Sequence, residues 1–204
     1  TTLITVTDGV PSGSNYVPAR EYSLAAGKYF GGFVHGNNYT VKGLRINSNN
    51  NLAAFISWSE NEAEIKDLTF SDAVVYTTKG YAAVFAGYNY NGAKVSNCHV
   101  KNSTIASTPE QVNGEWDNGD KVGGLVGYAV FTGNTEAMIS NCSVEKTTVK
   151  AYRDFAGLVG LILVMSRYRH CQRRNCQDIR RLSGQVRLGG RLYSFLLAVV
   201  PRYR

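Results

Sequence analysis

Three large aromatic side chains, Trp58, Tyr88 and Tyr128, stand at matching places, each three residues after an apolar one at Phe55, Phe85 or Leu125. In an extended strand, residues three apart lie on opposite faces. With the apolar residues inside, the rings face outward, provided the strand stays straight through Ser57, Gly87 and Gly127. An outward row of rings at strand spacing is a platform for sugar faces or apolar partners. The alternative is that the glycines bend the chain, so that the rings stack on one another as a structural ladder or lie under a loop. A second candidate is the segment 108–120, where Glu110, Glu115, Asp117 and Asp120 surround Trp116. Acids beside an indole suit Ca²⁺ or a polar glycan. They do not fall at EF-hand positions, however, and a solvated acidic loop has the same composition. The candidate ligand-binding residues are therefore Trp58, Tyr88, Tyr128, Trp116, Asp117 and Asp120.

Acid–base and nucleophilic chemistry finds less support. His35 lies in a Gly-Asn turn, His99 faces away from Cys98, and His170 is near the C-terminus; none has a Ser, Cys or Asp partner at motif spacing. Sugar cleavage needs paired carboxylates. Glu60, Glu62, Glu64, Asp67 and Asp72 recur at no common place, and Asp67 aligns with Asn97 and Asn141, which marks it as a turn residue. Gly124-Leu125-Val126-Gly127 lacks the helix and lysine of a phosphate loop. No enzyme activity, cofactor or metal site is expected on these grounds.

A repeat must position the candidates. Ile65-Lys66-Asp67-Leu68-Thr69-Phe70 is matched by Val95-Ser96-Asn97-Cys98-His99-Val100 and by Ile139-Ser140-Asn141-Cys142-Ser143-Val144, with a weaker copy at Val41-Lys42-Gly43-Leu44-Arg45-Ile46. Each runs aliphatic, polar, Asn/Asp/Gly, Leu/Cys, polar, aliphatic, which is strand patterning punctuated by a turn former. A second element precedes each unit: Ala54-Phe55-Ile56-Ser57-Trp58, Val84-Phe85-Ala86-Gly87-Tyr88, Gly124-Leu125-Val126-Gly127-Tyr128 and Gly157-Leu158-Val159-Gly160. Equivalent positions are 24 residues apart from Leu44 to Leu68, 30 from Leu68 to Cys98 and 44 from Cys98 to Cys142. The last interval contains the turn-rich insertion 108–120, so the underlying period is near 30.

About three short strands per period, with Gly and Asn corners, fit the coil of a parallel β-helix better than a four-stranded antiparallel propeller blade. The expected fold is all-β: a right-handed parallel β-helix, or β-solenoid, of about four to five coils over residues 1–160. Its inward ladders are Phe55, Phe85, Leu125, Leu158 and Leu44, Leu68, Cys98, Cys142. Cys98 and Cys142 then lie ~4.8 Å apart in neighbouring coils, within disulfide range. With Leu44 and Leu68 filling the same column, a buried free-thiol ladder is the expected state.

The run Gly123-Gly124-Leu125-Val126-Gly127-Tyr128, the unit Ile139 to Val144 and the degenerate copies around 54, 84 and 157 resemble the GLUG repeats of surface proteins from gut bacteria. The stretch Phe30 to Leu44 is similar to the opening coil often seen in such proteins, and the resemblance covers roughly residues 28–160. It implies a secreted or cell-surface setting, extracellular or on a bacterial surface, in an adhesin-like protein or an ancillary region of a larger one. It carries over no catalytic residues, because the motif is structural.

The net charge of +7 is unevenly placed. Residues 1–160 carry 12 Lys and Arg against 14 Asp and Glu, whereas residues 161–204 carry ten Arg, no Lys and one acid, Asp178. The repeat pattern stops after Gly160 as this irregular basic tail begins, which suggests a reading-frame slip or a chimeric sequence. Otherwise the tail is a basic segment that neutralises phosphates with Tyr168 and Tyr193 for stacking. Two further readings are a membrane-surface segment burying Leu192, Phe195, Leu196 and Leu197, and a metal site at His170, Cys171 and Cys176. Nucleic acid is not an expected partner unless the tail is native. No run has the ~18 uninterrupted apolar residues of a membrane span. The strand-like start Thr1 to Thr7, with no initiator Met and no basic start, is expected to lie inside a longer processed polypeptide.

The expected function is that of a non-enzymatic secreted or cell-surface adhesion module, with carbohydrate binding as its candidate activity and a glycan or a host or cell-surface protein as partner. Two alternatives stand beside it: an architectural spacer of a larger surface protein, and a polysaccharide-degrading β-helix enzyme with carboxylates converging in a groove.

Overall fold

The computed structural model describes residues 3–16, 29–49, 52–108, 111–112, 115–116, 121–132, 139–152, 154–165, 183–188 and 191–196. Among them there are strands and turns and no helix. The chain forms a compact unit from Thr1 to Met165 and a second from Ser166 to Arg204.

The first unit is a parallel β-solenoid of about four turns built on four sheets. Sheet I stacks Ile56–Glu60, Ala86–Tyr90, Val126–Thr132 and Val159–Met165. Sheet II stacks Phe33–Lys42, Glu64–Ser71 and Lys94–Lys101, then Ile139–Ser140 with Ser143–Glu145. Sheet III stacks Arg45–Ser48, Val74–Thr77, Thr104–Ser107 and Thr148–Lys150. Sheet IV stacks the short strands Leu52–Ala53, Tyr81–Ala82, Lys121–Gly123 and Asp154–Ala156. A coil therefore has four strands where the sequence suggests about three, because two-residue strands are too short to display an alternation.

In-register parallel pairing sets like on like. Ile65, Val95 and Ile139 form one inward column, Phe70, Val100 and Val144 another, and Val75, Ile105 and Val149 a third. Phe85 and Leu125 are fully buried, with Phe55 and Leu158 packed against the same core, as expected of that ladder. The Phe70 ring lies 5.2 Å from Phe55 and 4.9 Å from Phe85.

The corners explain the Asn/Asp positions. Asp67, Asn97 and Asn141 have φ of 54°, 50° and 50°, a left-handed conformation that short polar side chains tolerate. Asn141 Nδ2 donates to Asn97 Oδ1 at 3.0 Å, and Asn97 Nδ2 donates to Asp67 Oδ1 at 2.7 Å, so the turn residues form a ladder of their own.

The first coil departs from the sequence alignment. Val34, Tyr39 and Val41, rather than Val41, Leu44 and Ile46, lie opposite Ile65, Leu68 and Phe70, with a bulge between His35 and Tyr39. Leu44 therefore does not belong to the Leu68, Cys98, Cys142 column. It precedes Arg45–Ser48 in sheet III, where Ile46 pairs with Val75, 29 residues on. The reason is the corner at Gly43, φ 70°, which makes a sequence straddling two sheets imitate a single unit.

The N-terminal segment closes the first coil. Asn15 exchanges backbone and side-chain hydrogen bonds with Arg45 at 3.0 and 2.7 Å, and the Tyr16 hydroxyl donates to the Phe55 carbonyl at 2.8 Å. At the other end Val159–Met165 continues the solenoid past residue 160, pairing with Val126–Thr132. In the second unit Ser183–Leu188 and Arg191–Leu196 pair antiparallel, so this part of the basic tail is a hairpin rather than irregular chain. His170, Cys171 and Cys176 lie outside the described residues.

Candidate functional site

Trp58, Tyr88 and Tyr128 stand in register across sheet I, outside the main core cluster. The expectation of an exposed row needs correction. Trp58 is only 7% exposed, and Tyr88 and Tyr128 are half-buried. Ring centroids are 5.4 Å apart from Trp58 to Tyr88 and 5.2 Å from Tyr88 to Tyr128. Tyr81 packs beside the last two, at 6.3 and 5.5 Å.

Glycines precede Tyr88 and Tyr128 and leave room for this packing, whereas Ser57 precedes Trp58, which is packed by Tyr29 and Tyr88. A Cβ built on Gly127 would lie 2.8 Å from the carbonyl oxygens of Gly87 and Lys121, and one on Gly87 would lie 2.8 Å from that of Ser57. Without side chains there, sheet IV folds against sheet I and delivers Tyr81 and Lys121 to the rings. Lys121 Nζ sits 5.1 Å from the Tyr81 ring centre and 5.5 Å from that of Tyr128, and 3.9 Å from Asp154 Oδ2. Burial, reinforced by the neighbouring tyrosines, pushes the Tyr88 hydroxyl up, so it stays a neutral phenol. The Trp58 indole N–H is buried and meets no acceptor among the described residues.

The 108–120 candidate is only partly placed. Glu115–Trp116 pairs antiparallel with Gln111–Val112. Glu110, Asp117 and Asp120 lie outside the described residues. Among the described residues no group of three His, Cys, Asp or Glu is placed to hold a metal ion.

A groove that sequence reasoning missed lies at the corner between sheets I and II. Tyr29, Phe33, Asn61, Glu62, Glu64 and Asn91 line it, together with Lys94. Tyr29 and Phe33 are 40% and 66% exposed. Asn61 and Asn91 turn the corner with φ of 58° and 51°, and their amides are joined by a 3.0 Å hydrogen bond. Glu64 Oε2 lies 2.9 Å from His35 Nε2 and 3.5 Å from Lys66 Nζ. The His35 hydrogen bond, helped by Lys66, holds the Glu64 carboxyl below its ordinary range, so it is a carboxylate. Phe30 pairs with Ser59 at the edge of sheet I, which sets Tyr29 beside Trp58, centroids 6.4 Å apart. The groove wall thus rests on the ring column. The usable signal was the recurrence of Asn61 and Asn91 at the repeat spacing; Tyr29 and Phe33 precede the first recognisable unit.

Cys98 and Cys142 are free thiols, the first buried and the second half-buried. No protein-family model, no curated protein and no solved structure matches this chain. Fold and site together define a parallel β-solenoid repeat protein with an aromatic and polar groove at one corner.

Proposed function

We propose that this solenoid is a secreted or cell-surface adhesion module that holds a glycan in the corner groove. The observation that carries this reading is the pair of solvent-facing rings, Tyr29 and Phe33, flanking the amides of Asn61 and Asn91 and the carboxylates of Glu62 and Glu64. A ring face packs against the C–H face of a sugar while amides and carboxylates bind its hydroxyls. The GLUG-like repeat supports the surface setting. Catalysis is not part of the proposal.

The architectural-spacer reading is favoured by the rings of Trp58, Tyr88 and Tyr128 packing on one another. Affinity electrophoresis of the full chain in gels containing xylan, mixed-linkage β-glucan or mucin separates the two. The binding reading expects retardation in at least one gel, reduced about tenfold by Tyr29→Ala/Phe33→Ala, with the melting temperature unchanged. Full mobility of the intact protein in all three gels would leave the spacer.

A further inference from the structure

We propose that Cys98 and Cys142 form an oxidisable pair that closes a disulfide between neighbouring coils by exchange with a small external disulfide. The proposal is independent of the glycan reading. Ser96 pairs with Ser140 and His99 with Ser143, which fixes Cys98 opposite Cys142. Parallel neighbours stand ~4.8 Å apart, inside the Cα range that a disulfide spans. Cys142 Sγ lies 3.5 Å from the carbonyl oxygen of Val95, which belongs to the strand bearing Cys98, so the thiol leans toward that coil. The pairing is interrupted between Ile139–Ser140 and Ser143–Glu145, giving the backbone at Cys142 room to adjust. Leu68 ends the thiol column on the other side.

The two thiols differ in a way that orders the reaction. Cys98 is fully buried, and its hydrogen bond to Cys142, together with burial, pushes its thiol up. Cys142 is half-buried and, through the same bond, lowered. Cys142 is therefore the sulfur that an external reagent reaches and that ionises first. Its thiolate attacks one sulfur of R–S–S–R, breaking that bond and releasing RS⁻, which is protonated. The Cys98 sulfur then attacks Cys142 Sγ in the mixed disulfide and expels the second RS⁻, which leaves with the Cys98 proton as RSH. Two cysteines are oxidised and the external disulfide is reduced to two thiols. The resulting bridge spans the interval that contains the 108–120 insertion, where the repeat is most interrupted.

The test uses the full chain carrying Cys171→Ser and Cys176→Ser, which leaves two of the four cysteines. The folded protein is incubated with oxidised glutathione, then denatured and alkylated without reductant. The expected product takes up no alkylating agent, weighs two hydrogens less, and yields the Cys98 peptide joined to the Cys142 peptide. Adding Cys98→Ser should halt the reaction with one glutathionyl group on Cys142. Alkylation of both thiols, or glutathione retained on Cys142 while Cys98 is present, would overturn the proposal. The linked peptide decides the matter whether or not the serine variant folds.

Discussion

Gly127→Ala asks for one methyl carbon where the corner between sheets IV and I has no room. On this backbone the new Cβ would lie 2.8 Å from the carbonyl oxygens of Gly87 and Lys121 and 3.3 Å from that of Ala82. All three are main-chain atoms, so none can swing aside as a side chain would. Relief requires the corner to open, at the expense of bonds that tie it to its neighbours, such as Phe85 N to Leu125 O at 3.1 Å and Leu125 N to Leu158 O at 3.0 Å. Overpacking of this kind costs about 1–3 kcal/mol. Contact with fixed carbonyls puts it at the upper end, and the stiffer unfolded chain offsets ~0.5 kcal/mol. A net loss of ~2 kcal/mol lowers the melting temperature of a unit this size by roughly 4–8 °C. Circular dichroism melts and urea titrations with an unchanged m-value measure it. Gly13→Ala, where an added Cβ meets nothing within 4 Å, is the control and should stay near wild type. A Gly127→Ala protein that melts with wild type, or a Gly13→Ala protein that loses as much, would refute the steric account of the glycine column.

Phe70→Ala empties the centre of the aromatic stack in the core and should cost about 3–5 kcal/mol, read from the urea midpoint. Asn97→Ala removes the ladder amide and leaves at φ 50° a residue without the polar side chain that makes this conformation tolerable, so it should cost ~2 kcal/mol; Asn97→Gly keeps the turn and should lose about half as much. The Glu64 carboxyl is lowered in the folded protein, so its contribution is present above the unfolded value of about 4.3 and disappears as pH falls through the folded one. Between about pH 5 and 3 wild type should lose more stability than Glu64→Gln, by less than ~1 kcal/mol because solvent screens the pair. Parallel curves for the two proteins would contradict this.

The repeat was legible because parallel stacking imposes identity: Ile65, Val95 and Ile139 must fill the same space one coil apart, and so must Asp67, Asn97 and Asn141. The register of the first coil was not legible. Gly43 turns a corner in the middle of a stretch that copies the motif, and the bulge at Gly36 to Asn38 is visible only against the opposing strand. The stacking of the rings was one of the two readings open in the sequence; which elements cover them was not. Parity counted from Phe55, Phe85 and Leu125 does not decide the matter, because the strands begin one residue later, and the cover of Tyr88 and Tyr128 comes from Tyr81 and Lys121, delivered by strands of two and three residues. The groove draws Tyr29 and Phe33 from before the first clear repeat, so no periodicity marks them.

The ring column and the groove are mechanically joined, and that separates their roles. Tyr29 is held against Trp58, which is in turn fixed by Tyr88, and Tyr88 by Tyr128 and Tyr81. Removing Tyr29 takes away a groove wall and leaves the column intact, whereas Trp58→Ala removes the base of that wall together with a buried indole worth about 3–5 kcal/mol of folding stability. If the groove binds a glycan, Tyr29→Ala should weaken retention with unchanged melting, and Trp58→Ala should weaken it only alongside a large fall in melting temperature. Retention that survives Tyr29→Ala/Phe33→Ala would move the contact away from this corner. Retention lost in Trp58→Ala at unchanged melting would mean that the indole itself meets the ligand.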